Sequence, residues 1–569
     1  MRSIALIAAA ALLTSCANAP DKKQTQVKSE EPTAMNVDEE VVSFLADQTK
    51  EIEPLAKASS LAWYEASVSG SDADWKKSQT AEDVLNRYFS NTELFAKVKT
   101  YRDGGKVKDP LLKRQLDVLY LSMLGKQVDP ALLEKITALQ SKVEQAFNAY
   151  RGKVDGKEVT QNQINEILRT ATDSKKLQAA WEAQKAVGPL VEPTLKELVV
   201  LRNDVAKKLG FRDFYAMRLA ESEYDEEQLL KLFDQLDQLT KEPFAKAKAD
   251  VDARLSKRLK VKPEQLMAWH YQNAFFQEPP DVFKTGLEDV YKKQDVLKLC
   301  RAFYSGIGLD VEDILARSDL YEKKGKSPHA FSSDIDRLGD VRVLANIVPG
   351  SEWTGTMLHE LGHAVYSKYI DRSLPWLLRN DSHAMTTEGV AQLMEQMAGN
   401  PYWVQEMGLI DAKKRDQILP EAKLERAFAP LQFSRWTQVM LRFERELYRD
   451  PSQDLNALWW KMVEQYQLLK QPAGRNAPDY ASKIHFVVAP VYYHNYQMGV
   501  LFLSQLHEAI AKLENKDTLT AVYVGDTKVG DYLKTEVFAP GARYSWNELT
   551  QRLTGAPLSA EAFARRFAQ

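Results

Sequence analysis

TGTMLHELGHAVY, running from Thr354 to Tyr366, puts His359 and His363 four residues apart, with Glu360 directly after the first. On an α-helix that spacing brings two side chains within about 40° of each other around the axis, one turn apart. Two imidazoles can then meet at one cation. Glu360, about 100° from His359, can reach a water beside the cation without ligating it. Met357, Leu358, Leu361 and Val365 supply the apolar side that anchors such a helix. Gly362 costs roughly 1 kcal/mol of helix stability against alanine, which makes sense where a second segment must come close. Histidine is scarce, eight in 569 residues, so a chance HExxH is rare.

Zinc in a hydrolytic site takes three protein ligands and keeps a fourth position open. The extension HExxHxxGxxH is absent, because Tyr366 and Tyr369 stand at the glycine and third-histidine positions. The third ligand must come from a later segment. Glu388, 25 residues after His363, lies in HAMTTEGVAQLMEQMA, in the first turn of a helix that Thr386 or Thr387 would cap. Glu395, deeper in the same helix, is the rival and reads more simply as a solvated charge. A carboxylate ligand also offsets cation charge that two neutral histidines leave uncompensated. The set predicts one Zn2+ per chain and hydrolysis, with Glu360 taking a proton from the attacking water and delivering it to the leaving amine.

From His329 to Val348 the helical period gives way to a strand period. Val341, Val343, Ala345 and Ile347 alternate with Arg342, Leu344 and Asn346. HAFSSDI before it can pair as a hairpin, and an exposed strand edge can bind an extended peptide through main-chain hydrogen bonds. Late in the chain, SKIHFVVAPVYYHNY (Ser482 to Tyr496) gathers Lys483, His485, Tyr492, Tyr493, His494 and Tyr496. These are candidates to stabilise a tetrahedral oxyanion. The competing reading is core packing for the aromatics and a solvated charge for Lys483.

Lysine and arginine total 76 against 79 acids, a net charge of −3, so nothing points to nucleic acid as a partner. Glycine (25) and proline (23) are scarce for the length, which favours long helices. Leu195, Leu198, Val199, Val205 and Leu209 repeat at helical steps up to a stop at Gly210. Asp225 with Gln228, and Ser545 with Glu548, read as helix caps. No period of 20 to 50 residues is present.

MRSIALIAAAALLTSC opens with Arg2 and an apolar run from Ile4 to Leu13 too short to span a bilayer. Leu-Thr-Ser-Cys resembles a bacterial lipobox, with Cys16 the lipidated residue. The rival is cleavage after Ala19, where the following Pro20 is a poor fit. Residues 1–15 are thus expected to be a lipoprotein signal peptide and 16–40 a disordered tether. Cys300 is left without an intrachain partner and reads as a small buried side chain.

Taken together, these segments resemble the peptidyl-dipeptidase A family, the gluzincin relatives of angiotensin-converting enzyme. His329-Ala330 resembles the family's His-Ala substrate strand, 30 residues before His359. HELGH resembles its HEMGH, and Glu388 matches its downstream glutamate to within one residue. LWWKMVEQYQ around Trp459 and Trp460 resembles a tryptophan pair. Lys483-Ile484-His485 resembles a Lys-x-His, and Tyr493 with Tyr496 a Tyr-x-x-Tyr. Weaker echoes extend the likeness from about Leu195 to the C-terminus.

The resemblance implies that His359, His363 and Glu388 ligate zinc and Glu360 is base and acid. It also implies that His485 and Tyr496 stabilise the tetrahedral intermediate, Lys483 and Tyr493 hold the peptide's terminal carboxylate, and His329 and Ala330 bind substrate main chain. Departures stand beside it. Asn495 and Val463 occupy positions of chloride-binding arginines, and Gln392 replaces an aspartate that orients a zinc histidine. The family's glutamine contact to the carboxylate falls near Tyr271 or Gln272.

The expected fold is mostly α: a large multi-helix ellipsoid with a deep central cleft between two interleaved halves and a small sheet beside the HExxH helix. Residues 41–569 would form one peptidase domain of two interleaved subdomains. The expected activity is release of C-terminal dipeptides from short peptides with a free C-terminus, by a monomer lipid-anchored in a Gram-negative envelope and facing the periplasm. The alternatives are a thimet-like oligoendopeptidase and a non-catalytic zinc-binding envelope lipoprotein.

Overall fold

Short polar side chains start the long helices by accepting hydrogen bonds from otherwise unpaired N–H groups, each worth about 1 kcal/mol. In the computed structural model, which describes residues 36–567, Asp225 caps Glu226–Leu259 through the Gln228 N–H, as the sequence predicts. Asp411 caps the long helix Ala412–Arg449. Ser545 and Glu548 close the predicted capping box before Trp546–Thr554. Gly210, at φ +87°, stops the chain just past the helix Gly188–Lys208. The architecture is mostly α, and the only strands among the described residues form two small antiparallel hairpins. No helix among the described residues is long and apolar enough to cross a membrane.

The boundary drawn at residue 40 is corrected. The first helix spans Val37–Ser69, and the Asn36 side chain accepts from the Asp38 N–H. Asp38, Glu39 and Glu40, which look like tether in a polar sequence, form the first turn, where acids complement the helix dipole. Val41, Phe44 and Leu45 directly after them are buried. The signal peptide, Cys16 and the tether up to residue 35 lie outside the described residues.

One continuous apolar core runs from Ile136 to Phe563 and encloses Cys300, which is fully buried. A smaller core joins the N-terminal helices to Trp376 and Leu377. Within the large core three helices position the chemistry. They are the metal helix Ser351–Lys368, the glutamate helix Ala384–Glu395 and the tyrosine helix His494–Glu514.

The glutamate helix packs extensively on both of the others, and small residues set how closely. A Cβ at Gly362 would stand 2.8 Å from the Ala391 Cα, so the metal helix meets the glutamate helix at backbone contact. On the opposite face, a Cβ at Gly389 would stand 2.9 Å from the Gly499 carbonyl oxygen and 2.6 Å from the Phe502 ring. The close approach that Gly362 implied is therefore found, and a second one lies behind it.

The predicted hairpin pairs Phe331–Asp334 with Val341–Leu344, in the register Phe331↔Leu344 to Asp334↔Val341, and it packs on the metal helix. The strand ends earlier than its alternation suggested. The N–H groups of Ala345 and Ile347 bond to Asp319 and Leu320 instead of to the hairpin partner. Tyr64, from the first helix, donates to the Val343 carbonyl and accepts from the Asp319 N–H, which ties the N-terminal helices to this sheet.

Candidate metal centre and active site

The metal helix begins at Gly350 without a cap of its own. Glu288 supplies one from a distance, accepting from the Ser351 N–H at 2.9 Å. Two turns later His359 and His363 project from one face, with their Nε2 atoms 3.2 Å apart. The Glu388 Oε2 lies 3.7 Å from the His359 Nε2, and one ligand atom from each of the three residues falls within 4.8 Å of the others. Tetrahedral zinc with Zn–N bonds of about 2.0–2.1 Å places its ligand atoms about 3.3 Å apart. The donor set fits that geometry, and two converging nitrogen lone pairs at this separation call for a cation between them.

The outer nitrogens are held as well. The His359 Nδ1–H donates to the Glu395 Oε2 at 2.8 Å, and the His363 Nδ1–H to the Thr387 Oγ1 at 2.7 Å. These bonds fix both rings with Nε2 free to ligate. The reading of Glu395 as a merely solvated charge is corrected, although its side chain is 48% exposed. Seven residues after Glu388, it sits about 20° away around the helix axis and two turns on. The metal and glutamate helices run antiparallel, as the pairs His359–Glu395 and His363–Thr387 show, so Glu395 meets the earlier histidine. Gln392 takes the neutral supporting place expected of it, donating to the Glu388 Oε2 at 3.5 Å. The cap of the glutamate helix is also corrected. His383, not a threonine, accepts the Met385 N–H through Nδ1, so Glu388 lies just past the first turn.

Charge in the cluster follows from burial and neighbours. Burial alone would lower His359, but the hydrogen bond and charge of Glu395, with Glu388 and Glu360, outweigh it and raise its pKa to about 9. Burial, then the charge of His359, pushes His363 down to about 3. Glu360 is buried and raised to about 7, chiefly by desolvation and further by the two other carboxylates. His359 and the Ser332 backbone N–H pull the other way. Burial also raises Glu388.

Ser332 is thus the hairpin residue whose backbone N–H meets the Glu360 carboxylate. His329 is exposed in the bend before the strand, and Ala330 is half-buried beside it. No contact of either with the metal cluster is found among the described residues.

The late segment forms a second cluster. Lys483 is buried beneath three rings, its Nζ 5.2 Å from the centroid of Phe275, 5.3 Å from Tyr493 and 5.4 Å from Trp436. Among the described residues its Nζ donates one hydrogen bond, to the Gln277 Oε1 at 2.5 Å, to which the Tyr493 hydroxyl also donates at 3.4 Å. The glutamine that meets Lys483 is therefore Gln277, not Gln272. Tyr271 and Gln272 are engaged elsewhere, Tyr271 with Lys248 and Asp252, and Gln272 with Arg169 and Asp281.

Burial lowers Lys483 to about 8, against the nearby charge of Glu278. His485, 5.1 Å from the Tyr493 ring, is lowered to about 4 by burial and then by Lys483, and its buried Nδ1 has no partner. Tyr493 and Tyr496 are 5.3 Å apart, and the charge of Glu388 adds to burial in raising Tyr496. A strip of aromatic rings therefore runs from Lys483 to the metal cluster. Neither position of the missing arginines offers a cation. The Asn495 Oδ1 accepts from the Tyr224 hydroxyl at 2.7 Å, and Val463 is buried.

Two family models match. The one described as angiotensin-converting enzyme covers residues 35–262. The one described as peptidase family M3 covers residues 161–569, more than half of the chain and all of the metal-binding residues. The chain belongs to peptidase family M3. It is a zinc metallopeptidase, and the gluzincin reading of the sequence is met. Four residues about this peptidase's site were not legible as such: Glu395, Thr387, Gln277 and Trp436, whose indole N–H donates to the Tyr493 hydroxyl at 2.8 Å. The seven-residue step between Glu388 and Glu395 was the signal for the first.

Replacing Glu395 with glutamine should weaken zinc binding about 10–100-fold, the usual cost of removing a carboxylate behind a metal-bound histidine. Competition with a calibrated chelator measures it. Unchanged affinity would mean that Glu395 is only a surface charge.

Proposed function

We propose that this zinc peptidase removes dipeptides from the free C-terminus of short peptides. The observation that carries the reading is Lys483. It is a buried ammonium whose three donors meet, among the described residues, only the Gln277 oxygen, enclosed by aromatic faces and joined to the metal cluster through Tyr493 and Tyr496. A buried cation without a carboxylate partner is costly unless a ligand supplies one, and a peptide's terminal carboxylate has the right charge and size.

The chain's residues then divide the work. His359, His363 and Glu388 would hold zinc, which supplies Lewis acidity toward a scissile carbonyl and a water. Glu360 takes a proton from the attacking water and passes it to the departing amine nitrogen. His485, neutral at working pH, and Tyr496, kept protonated by burial and the Glu388 charge, donate hydrogen bonds to the carbonyl oxygen as negative charge grows there. Lys483 and Tyr493, braced by Gln277 and Trp436, fix the carboxylate. That fixed end sets how far from the terminus the chain is cut. The non-catalytic alternative fits poorly with a base kept in place and tuned to about 7.

A second reading has one observation in its favour. The M3 model, not that of angiotensin-converting enzyme, covers the metal-binding part, which suits an oligopeptidase of the thimet kind that cuts internally. Product masses from one ten-residue peptide separate the two. Successive losses of C-terminal dipeptides are expected, and a single internal cut far from the end would refute the dipeptidase reading.

A further inference from the structure

We propose that a cavity between the Ala412–Arg449 helix, the tyrosine helix and the C-terminal helix Glu561–Arg565 binds a phosphate dianion, free or heading a small phosphomonoester. The cavity has a volume of about 430 Å3, and none of the metal-binding or carboxylate-anchoring residues lines it. Part of its polar wall is made by two arginines that converge on one residue. The Arg426 Nη1 donates to the Gln396 backbone carbonyl at 2.9 Å, and the Arg566 Nη2 to the Gln396 side-chain oxygen at 3.1 Å. Arg566 makes one further long bond, to the Ser504 hydroxyl at 3.4 Å.

A guanidinium has five N–H donors, so most of those carried by the pair have no protein acceptor. Neither arginine has a carboxylate within ion-pair distance among the described residues. This contrasts with the cations beside them, since Arg565 is paired to Glu508 and Lys516 to Glu514. The amide nitrogen of Gln396 is buried without a partner as well. Burial lowers both guanidinium groups to about 10; the charge of Glu425 partly offsets this at Arg426, and the charge of Arg426 adds to it at Arg566. Both stay charged at neutral pH and repel each other.

Lys423 and Lys512, also lining the cavity, take part in no ion pair among the described residues. Two guanidinium forks without an ion-pair partner among the described residues, plus two ammonium groups, match a tetrahedral dianion, which each arginine can bind through two oxygens. A monocarboxylate would leave one guanidinium unneutralised. Leu503, Ala427 and Phe567 add an apolar patch that leaves room for a small organic body behind the phosphate, and the two acids that also line the cavity are engaged, Glu508 with Arg565 and Asp517 with the Leu519 N–H.

Calorimetric titration of the zinc-loaded, full-length protein with inorganic phosphate and, separately, with glycerol phosphate tests this. One saturable site is expected, and the tighter of the two ligands identifies whether the free ion or an ester is the better fit. Arg566→Met should weaken binding about tenfold or more. In phosphate-free buffer it should also leave Tm unchanged or higher, since a like-charge pair is relieved. Arg566→Lys keeps the charge without the fork and should give an intermediate affinity. Lys483→Gln should bind phosphate like the parent, which separates this site from the peptide anchor and makes its failure independent of the dipeptidase reading. Absence of saturable binding, or binding unaltered in both Arg566 variants, would overturn the assignment.

Discussion

Glu360→Gln should lower kcat by about 10³–10⁴-fold while the protein still binds one zinc, since proton transfer by a positioned acid–base group contributes up to that order. The substitution keeps size and hydrogen-bonding ability and leaves His359, His363 and Glu388 untouched. Glu360 is raised to about 7 by burial and by two neighbouring carboxylates. A cation among the ligands lowers the pKa of a nearby acid, so the loaded enzyme holds Glu360 ionised at neutral pH. Its affinity for a proton is high for a carboxylate, which suits a group that must accept one and then give it up. Single-turnover hydrolysis alongside metal analysis reads both halves of the expectation. A Glu360→Gln protein with near-normal turnover would falsify the mechanism.

Lys483→Gln should raise KM for peptides with a free C-terminus and lower kcat/KM by about two to three orders of magnitude. The cost of leaving one charge of a buried pair unpartnered is about 2–5 kcal/mol. The parent enzyme should lose a similar amount when the peptide is amidated, and the variant should hardly distinguish the two substrates. Equal cleavage of free and amidated peptides by the parent would remove the anchor altogether.

The pH dependence carries a second signature. Lys483 is lowered to about 8 by burial, and only its protonated form attracts a carboxylate. Affinity for free-carboxyl peptides should therefore be full below that value and fall as pH rises through it. Amidated peptides and the Lys483→Gln variant should lack that limb.

Much of this site could be read from residues whose spacing alone fixes their geometry. Histidines four apart on a helix face the same way whatever surrounds them, and Gly362 announced a close neighbour because nothing else excuses its cost. The hairpin and the caps at Asp225 and Ser545 were legible because their signals are local. What escaped depends on contacts between distant segments. Gln277 reaches Lys483 across 206 positions of sequence, and no local period marks it. Glu395 looked solvated because half of its side chain is; only the antiparallel run of two helices turns it toward His359. His383 caps a helix with a ring nitrogen, a task that threonines next to it seemed better suited to perform. The run of acids at residues 38–40 shows the same limit, since charge reads as tether until buried residues beyond it reveal an amphipathic helix.

The backbone contact of Gly389 with Gly499 has a bearing on how this enzyme's selectivity can change. With no side chain between them, the spacing of the carboxylate helix and the tyrosine helix is set by main-chain thickness, a dimension that substitution cannot adjust in small steps. The segment bearing Lys483 and His485 is held differently, by the Arg202 guanidinium donating to the carbonyls of Phe486 and Val487 at 2.9 and 2.7 Å. Gln140 adds a bond to the Val487 carbonyl at 3.3 Å, so this attachment runs through side chains, which substitution can change in small steps. New peptide preferences are therefore more accessible by remaking the proposed carboxylate clamp than by shifting the cation's own surroundings, which act as a fixed datum.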